Sequence, residues 1–183
     1  AQASAEKERI ARELAQVAQS SEFPIEVLPV VGVTSGAQAA AMGVPAHDVL
    51  ILYAAGGWAD IFQHLSSKAR WSLMFLRHEP GPVYLWYEIA HPHFLRKAVD
   101  EYGEPGWSVD DVVVDSYDKL LRRLRALHGL KQTIGKRIVA VGGASGWGAG
   151  GASAPHIAAT LWKLDIVDYP YSELGKRLDA AMK

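Results

Sequence analysis

The residues of this 183-residue chain that could do chemistry collect in two stretches. The first is a glycine loop, residues 142–151, in which six of ten positions are glycine. It follows an apolar run at 137–141 and precedes a helical pattern that begins near Pro155. A glycine-rich turn between a strand and a helix can present backbone N–H groups and a helix N-terminus to an anion. Gly142 and Gly143 stand at the strand end, and Gly146, Gly148 and Gly151 satisfy G-x-G-x-x-G. Asp165 or Asp168 follows about 20 residues on, where a ribose-binding acid would sit. In a dinucleotide site, however, the first glycine closes the strand, a place that Gly142 holds here, and Gly146 comes four residues later. Three readings stay open: a dinucleotide site, a flexible loop beside a small-molecule or interdomain site, and a purely structural loop. Trp147, surrounded by glycines, has nothing local to pack against and argues for contact with a ligand.

The second stretch covers residues 77–93 and holds Arg77, His78, Glu79, Tyr84, Trp86, Tyr87, Glu88, His91 and His93. It comes just after an apolar strand pattern, at the edge where open α/β sheets bind ligands. Aromatic faces there can pack on sugar C–H groups while a guanidinium and carboxylates bond hydroxyls, which makes Arg77, His78 and Glu88 candidate substrate contacts. The competing reading is a set of capping and solvated residues at a domain edge. His91 and His93 lie two apart in a helical pattern and point away from each other, so they make a poor metal pair. Gly56 and Gly57 end an earlier strand and permit close backbone approach. Trp58 then either overhangs a ligand or a neighbouring subunit, or packs into the core at a helix start. Arg122, Arg123 and Arg125 fit the solvated face of a helix. His64 and His128 adjoin apolar faces and read as partly buried. The chain has no G-x-S-x-G elbow, H-E-x-x-H pair or P-loop.

These residues need elements to position them, and the sequence supplies an alternation. Residues 4–20 read as a helix with Ile10, Leu14 and Val17 on one face. Residues 25–33 read as a Val-rich strand, 35–42 as a short helix, and 48–55 as a strand buried on both faces. A helix at 58–66 and a buried strand at 71–76 follow. Residues 89–102 read as a helix and 112–114 as a short strand. Residues 117–134 give the clearest helix, with Ser116 as N-cap, Leu120, Leu124 and Leu127 on one face and Gly135 at the stop. Strand 137–141, helix 155–164, strand 165–169 and helix 172–182 complete the pattern. Alternating helices and strands of this kind predict a parallel α/β fold of Rossmann-like, flavodoxin-like layers in two consecutive units. The division is placed near residue 115, giving a first domain over 1–115 and a partial second over 116–183. A chain that opens on a helix with no strand before it, lacks an initiator Met and closes on a helix reads as truncated, with removal of a signal peptide as the competing reading of its start.

Composition limits the classes of function. Lys and Arg number 19 against 20 Asp and Glu, which argues against a nucleic-acid partner. The longest apolar stretch, residues 49–58, is about half of the roughly 20 residues a membrane helix needs, so no membrane partner is expected. With no cysteine, disulfides, thiolate nucleophiles and thiolate metal sites are excluded.

Residues 49–58, 77–88, 112–127 and 135–143 together resemble the N-terminal half of the L-fucose and L-arabinose isomerase-like proteins, over about residues 25–176. The resemblance implies two Rossmann-like domains ahead of a C-terminal domain, a homo-oligomer and a monosaccharide substrate; the compartment expected is the cytoplasm, with an exported form after signal cleavage as the other reading. It implies a manganese or other divalent ion held by carboxylates and histidines later in the parent chain, with no metal site in this stretch. It also implies that Trp58 or the segment 77–88 covers substrate, in trans from a neighbouring subunit. By that reading the chain is not active by itself, and a self-contained sugar- or dinucleotide-binding module is the alternative.

Overall fold

The computed structural model describes residues 2–53, 59–77, 107–144 and 151–182. Among them are six α-helices and two short parallel sheets, which makes this a mixed α/β protein. The chain divides into two compact units, Ala1–Arg125 and Ala126–Lys183.

The first unit holds α1 (Gln2–Gln19), α2 (Gly36–Ala41), β1 (Val49–Tyr53), α3 (Ala59–Ser66), β2 (Trp71–Leu76), β3 (Val112–Val114) and the first half of α4 (Tyr117–Thr133). Its sheet runs β1-β2-β3, all parallel, with Tyr53 opposite Phe75 and Leu76 opposite Val114. The central strand explains the rest. Leu73, Met74, Phe75 and Leu76 are all buried, and successive strand residues face opposite sides, so both faces of β2 must be covered. One face carries Leu50, Leu52, Met74, Leu76, Val112 and Val114 and meets Ala39 of α2, Ile61, Phe62 and Leu65 of α3, and Trp107. The other carries Leu73, Phe75 and Val113. There Tyr117, at the start of α4, stacks on Phe75 with ring centroids 4.7 Å apart. Helix α1 buries Ile10, Leu14 and Val17, and α4 buries Leu120 and Leu124, the apolar stripes that the i, i+4, i+7 spacing requires.

Polar groups fix the ends of these helices. Ser35 Oγ accepts the Gln38 N–H at 3.2 Å, and Ser116 Oγ accepts the Lys119 N–H at 3.3 Å. Lys68 Nζ donates to the carbonyls of Ala39, Ala40 and Met42 at 2.7, 2.9 and 2.7 Å. A cation thus serves the orphan carbonyls at the end of α2.

Two expectations are corrected. Residues 25–33 form no strand. Pro24 and Pro29 lack the N–H that a ladder needs, neither sheet includes the segment, and Val31 is 59% exposed. Strand β1 is not buried on both faces: only Leu52 is buried and its neighbours are half-buried. Among the described residues it pairs with β2 alone, and an edge strand keeps one flank open. The expected helix at 89–102 lies outside the described residues.

The second unit contains β4 (Arg137–Val141), α5 (Ala154–Leu161), β5 (Asp165–Tyr169) and α6 (Tyr171–Ala181), with β4 parallel to β5. Gly135, at φ +74°, ends α4 in the left-handed conformation expected there. Ile138, Val139, Val141 and Val167 all remain exposed, so this pair of strands lacks the two-sided cover of the first sheet. Among the described residues no helix is long and apolar enough to cross a membrane.

Leu120 is fully buried whereas Leu178 is 54% exposed. Leu120→Ala is therefore expected to cost about 2–5 kcal/mol and Leu178→Ala less than about 0.5 kcal/mol. Urea denaturation followed by circular dichroism checks this, and equal losses at the two positions would refute the core assignment.

Candidate functional site

The three strands described in the first unit end at one edge, and each end places a polar side chain there. Tyr53 closes β1, Arg77 follows β2 directly, and Asp115 follows β3 directly. In open parallel sheets this carboxyl edge is where ligands bind. A cavity of about 270 Å³ opens there, lined by Arg9, Glu13, Phe75, Arg77, Asp115 and Tyr117. That lies just below the roughly 300–1,000 Å³ of most small-molecule sites.

Asp115 is held at φ +55°. A non-glycine residue in this left-handed region is uncommon, though Asp tolerates it better than most. Its N–H donates to Leu76 O at 2.9 Å, which joins the ends of β2 and β3. Strain of this kind persists where the surroundings enforce it, and it concentrates at functional sites.

A continuous hydrogen-bonded chain runs from the sheet to α1. Tyr53 OH donates to Tyr117 OH at 3.4 Å, and Tyr117 OH donates to Glu13 Oε2. Arg9 Nη1 donates to the same Glu13 oxygen. Arg9 also grips Glu6 through Nε to Oε2 at 3.0 Å and Nη2 to Oε1 at 2.5 Å. Arg77 Nη2 reaches that same Glu6 oxygen at 3.0 Å. Glu6, Arg9 and Glu13 can converge because spacings of three and four place them on one stripe of α1.

These contacts set the protonation states. The hydrogen bond from Arg9 holds the Glu6 carboxyl below its ordinary value, with Arg77 adding to the effect and partial burial opposing it. The Arg9 guanidinium is pushed further up by its bond to Glu6. Burial raises the Tyr53 phenol well above its usual range, and its bond to Tyr117 adds to the rise. Tyr117 is raised by burial first and by donation to Glu13 second. Both phenols therefore stay protonated at neutral pH and act as donors, not as bases.

Of the residues singled out in the sequence, Arg77 lies in this cavity. Trp58, His78, Glu88, Gly146, Trp147 and Gly148 lie outside the described residues. Gly142 and Gly143 take φ of +88° and +93°. The Gly142 N–H donates to Tyr169 O at 2.8 Å, and the Gly143 N–H to Ala140 O at 3.0 Å. A Cβ on Gly142 would lie 2.5 Å from the Tyr171 ring. Asp168 accepts the Ala144 N–H at 2.9 Å, and Asp165 pairs with Arg137 at 2.6 Å. The start of the glycine loop thus spends its N–H groups within its own unit. Arg123 and Arg125 pair with Asp110 at 3.2 Å and with Glu22 at 2.9 Å, as solvated side chains do. His128 is half-buried as expected, but His64 is exposed because it falls on the outer side of α3, between inward-facing Phe62 and Leu65.

The sequence reading missed Glu6, Arg9, Glu13, Tyr53, Asp115 and Tyr117. One available signal was a mixed-charge stripe on α1, and another was the polar residues that follow an all-valine strand.

The manganese ion of the resembled family does not fit the described residues. Among them no three histidine or carboxylate side chains could hold a metal ion, and Glu6 and Glu13 are committed to guanidinium groups. No protein-family model, curated protein or solved structure matches this chain.

The Glu6 carboxyl titrates below its unfolded value near 4.5. Its contribution to stability is present above that pH and is lost as pH falls through the lower folded value. Glu6→Gln should therefore flatten the acid limb of the stability curve below about pH 4.5. Thermal melts over a pH series check this, and an unchanged acid limb would contradict the ion-pair assignment.

Proposed function

We propose that the first unit binds a small, uncharged, polyhydroxylated ligand of monosaccharide class in the cavity at its strand ends. In this reading the chain has Rossmann-like layers and supplies substrate-covering contacts in a metal-dependent aldose–ketose isomerase-like protein, while the metal centre lies elsewhere in the parent.

One observation carries the proposal: Arg77, Asp115 and Tyr117 surround a cavity at the carboxyl edge of three parallel strands. A hydroxyl group is both donor and acceptor, and this wall offers both kinds of partner. Arg77 carries donor groups, the Asp115 carboxylate and the Tyr117 oxygen, whose one proton goes to Glu13, can accept, and the Phe75 ring offers a face for C–H groups. The guanidiniums are already matched by carboxylates, which suits a neutral polyol better than an anion. The resemblance of residues 49–58, 77–88 and 112–127 to the sugar isomerase-like proteins points to the same ligand class. In this reading the acid/base pair of the parent lies, like its metal centre, outside this cavity.

Calorimetric titration with L-fucose and L-arabinose tests this reading. Saturable binding is expected, and Arg77→Ala should weaken it about tenfold or more, as the loss of a charged hydrogen bond does. Circular dichroism should be unchanged in that variant. Failure of every monosaccharide to bind, with saturable binding of NAD instead, would overturn the proposal in favour of a dinucleotide module.

A further inference from the structure

Two guanidiniums beside one small cavity would ordinarily make a phosphate or carboxylate site, since the planar fork of Arg matches such anions in bidentate fashion. Here part of that capacity is taken up from within. All three nitrogens of Arg9 are engaged, Nε and Nη2 by Glu6 and Nη1 by Glu13. Glu6 Oε1 serves Arg77 as well, at 3.0 Å. Glu13 Oε2 takes a second donor from the cavity wall, the Tyr117 hydroxyl. Two guanidiniums thus face the carboxylates of Glu6, Glu13 and Asp115, which leaves the set net negative.

We propose that Glu13 and Glu6 determine the charge specificity of this cavity, holding Arg9 and Arg77 in internal ion pairs so that the site rejects phosphorylated and carboxylated ligands. The inference rests on the cavity being a ligand site and adds the residues that set its preference. Glu13 acts most directly, because it lines the cavity and its charge would meet an entering anion. Glu6 acts from behind by occupying both guanidiniums. Neutralising either carboxylate frees N–H donors at the wall. Neutralising both removes two of the three carboxylates of this set from beside the two cations.

Titration of the full chain with inorganic phosphate tests the proposal. It uses the wild type, Glu13→Gln and the double variant Glu6→Gln/Glu13→Gln, which preserve side-chain shape. Wild type is expected to bind phosphate at least tenfold more weakly than the double variant, with Glu13→Gln in between. Adding Arg9→Ala and Arg77→Ala to the double variant should remove the gain, and added salt should weaken it. Phosphate binding no tighter in the double variant than in wild type would overturn the inference. So would a gain that survives the combined Arg9→Ala/Arg77→Ala change. If the double variant loses its circular dichroism signal, Glu13→Gln decides, since it leaves the Arg9–Glu6 fork in place. A gain of phosphate binding in a chain that takes no monosaccharide would sustain the charge assignment while removing the sugar reading. Sugar binding without any phosphate gain would do the reverse.

Discussion

Strand β2 has no polar residue from Leu73 to Leu76, and that constraint organises the first unit. A strand buried on both faces must lie between two layers, so its flanks have to be strands and its faces have to meet helices. Helices α2 and α3 cover one side with Ala39, Ile61, Phe62 and Leu65. On the other side the Tyr117 ring at the head of α4 lies over Phe75. Because all three strands run the same way, their carboxyl ends share one edge. The polar side chains that follow them are brought together there as a consequence of the core.

The energies of the two regions separate their roles. A buried leucine such as Leu120 is worth about 2–5 kcal/mol on truncation, while an exposed ion pair contributes roughly 0.2–1 kcal/mol. The Arg9, Glu6 and Glu13 side chains are about a quarter to a third exposed, so their pairs cannot be what holds the fold. Their effect is local: they fix the direction of two guanidiniums, one carboxylate and one phenol at the mouth of a cavity. The left-handed Asp115 fits this division, since a residue that costs backbone strain sits at the site and not in the core.

Much of the element order was legible because it rests on local pattern. The stripe of Ile10, Leu14 and Val17, the N-cap at Ser116, the stop at Gly135 and the apolar run of β2 each declare themselves within a few residues. Residues 25–33 were misread because Val-rich composition outweighed Pro24 and Pro29, and a strand exists only where another strand accepts its hydrogen bonds. The edge position of β1 was equally invisible, as pairing order is a long-range property. The site was legible only at Arg77. Tyr53, Tyr117 and Glu13 lie far apart in sequence, and their meeting depends on which face of the sheet α1 and α4 approach. A helix stripe of Glu6, Arg9 and Glu13 looks like ordinary solvated surface until a sheet edge with Arg77 and Tyr117 stands opposite it.

The central claim is that the strand-end constellation of the first unit is a ligand site and not only an ion-paired rim. Heteronuclear NMR of the full chain during titration with L-fucose or L-arabinose tests it directly, because each residue reports separately. The expected result is a saturable shift of resonances from Arg9, Glu13, Arg77, Asp115 and Tyr117, with those of Leu120 and of the second unit unmoved. Shifts that leave these five residues still and instead gather around Gly142 and Gly143 would contradict the account.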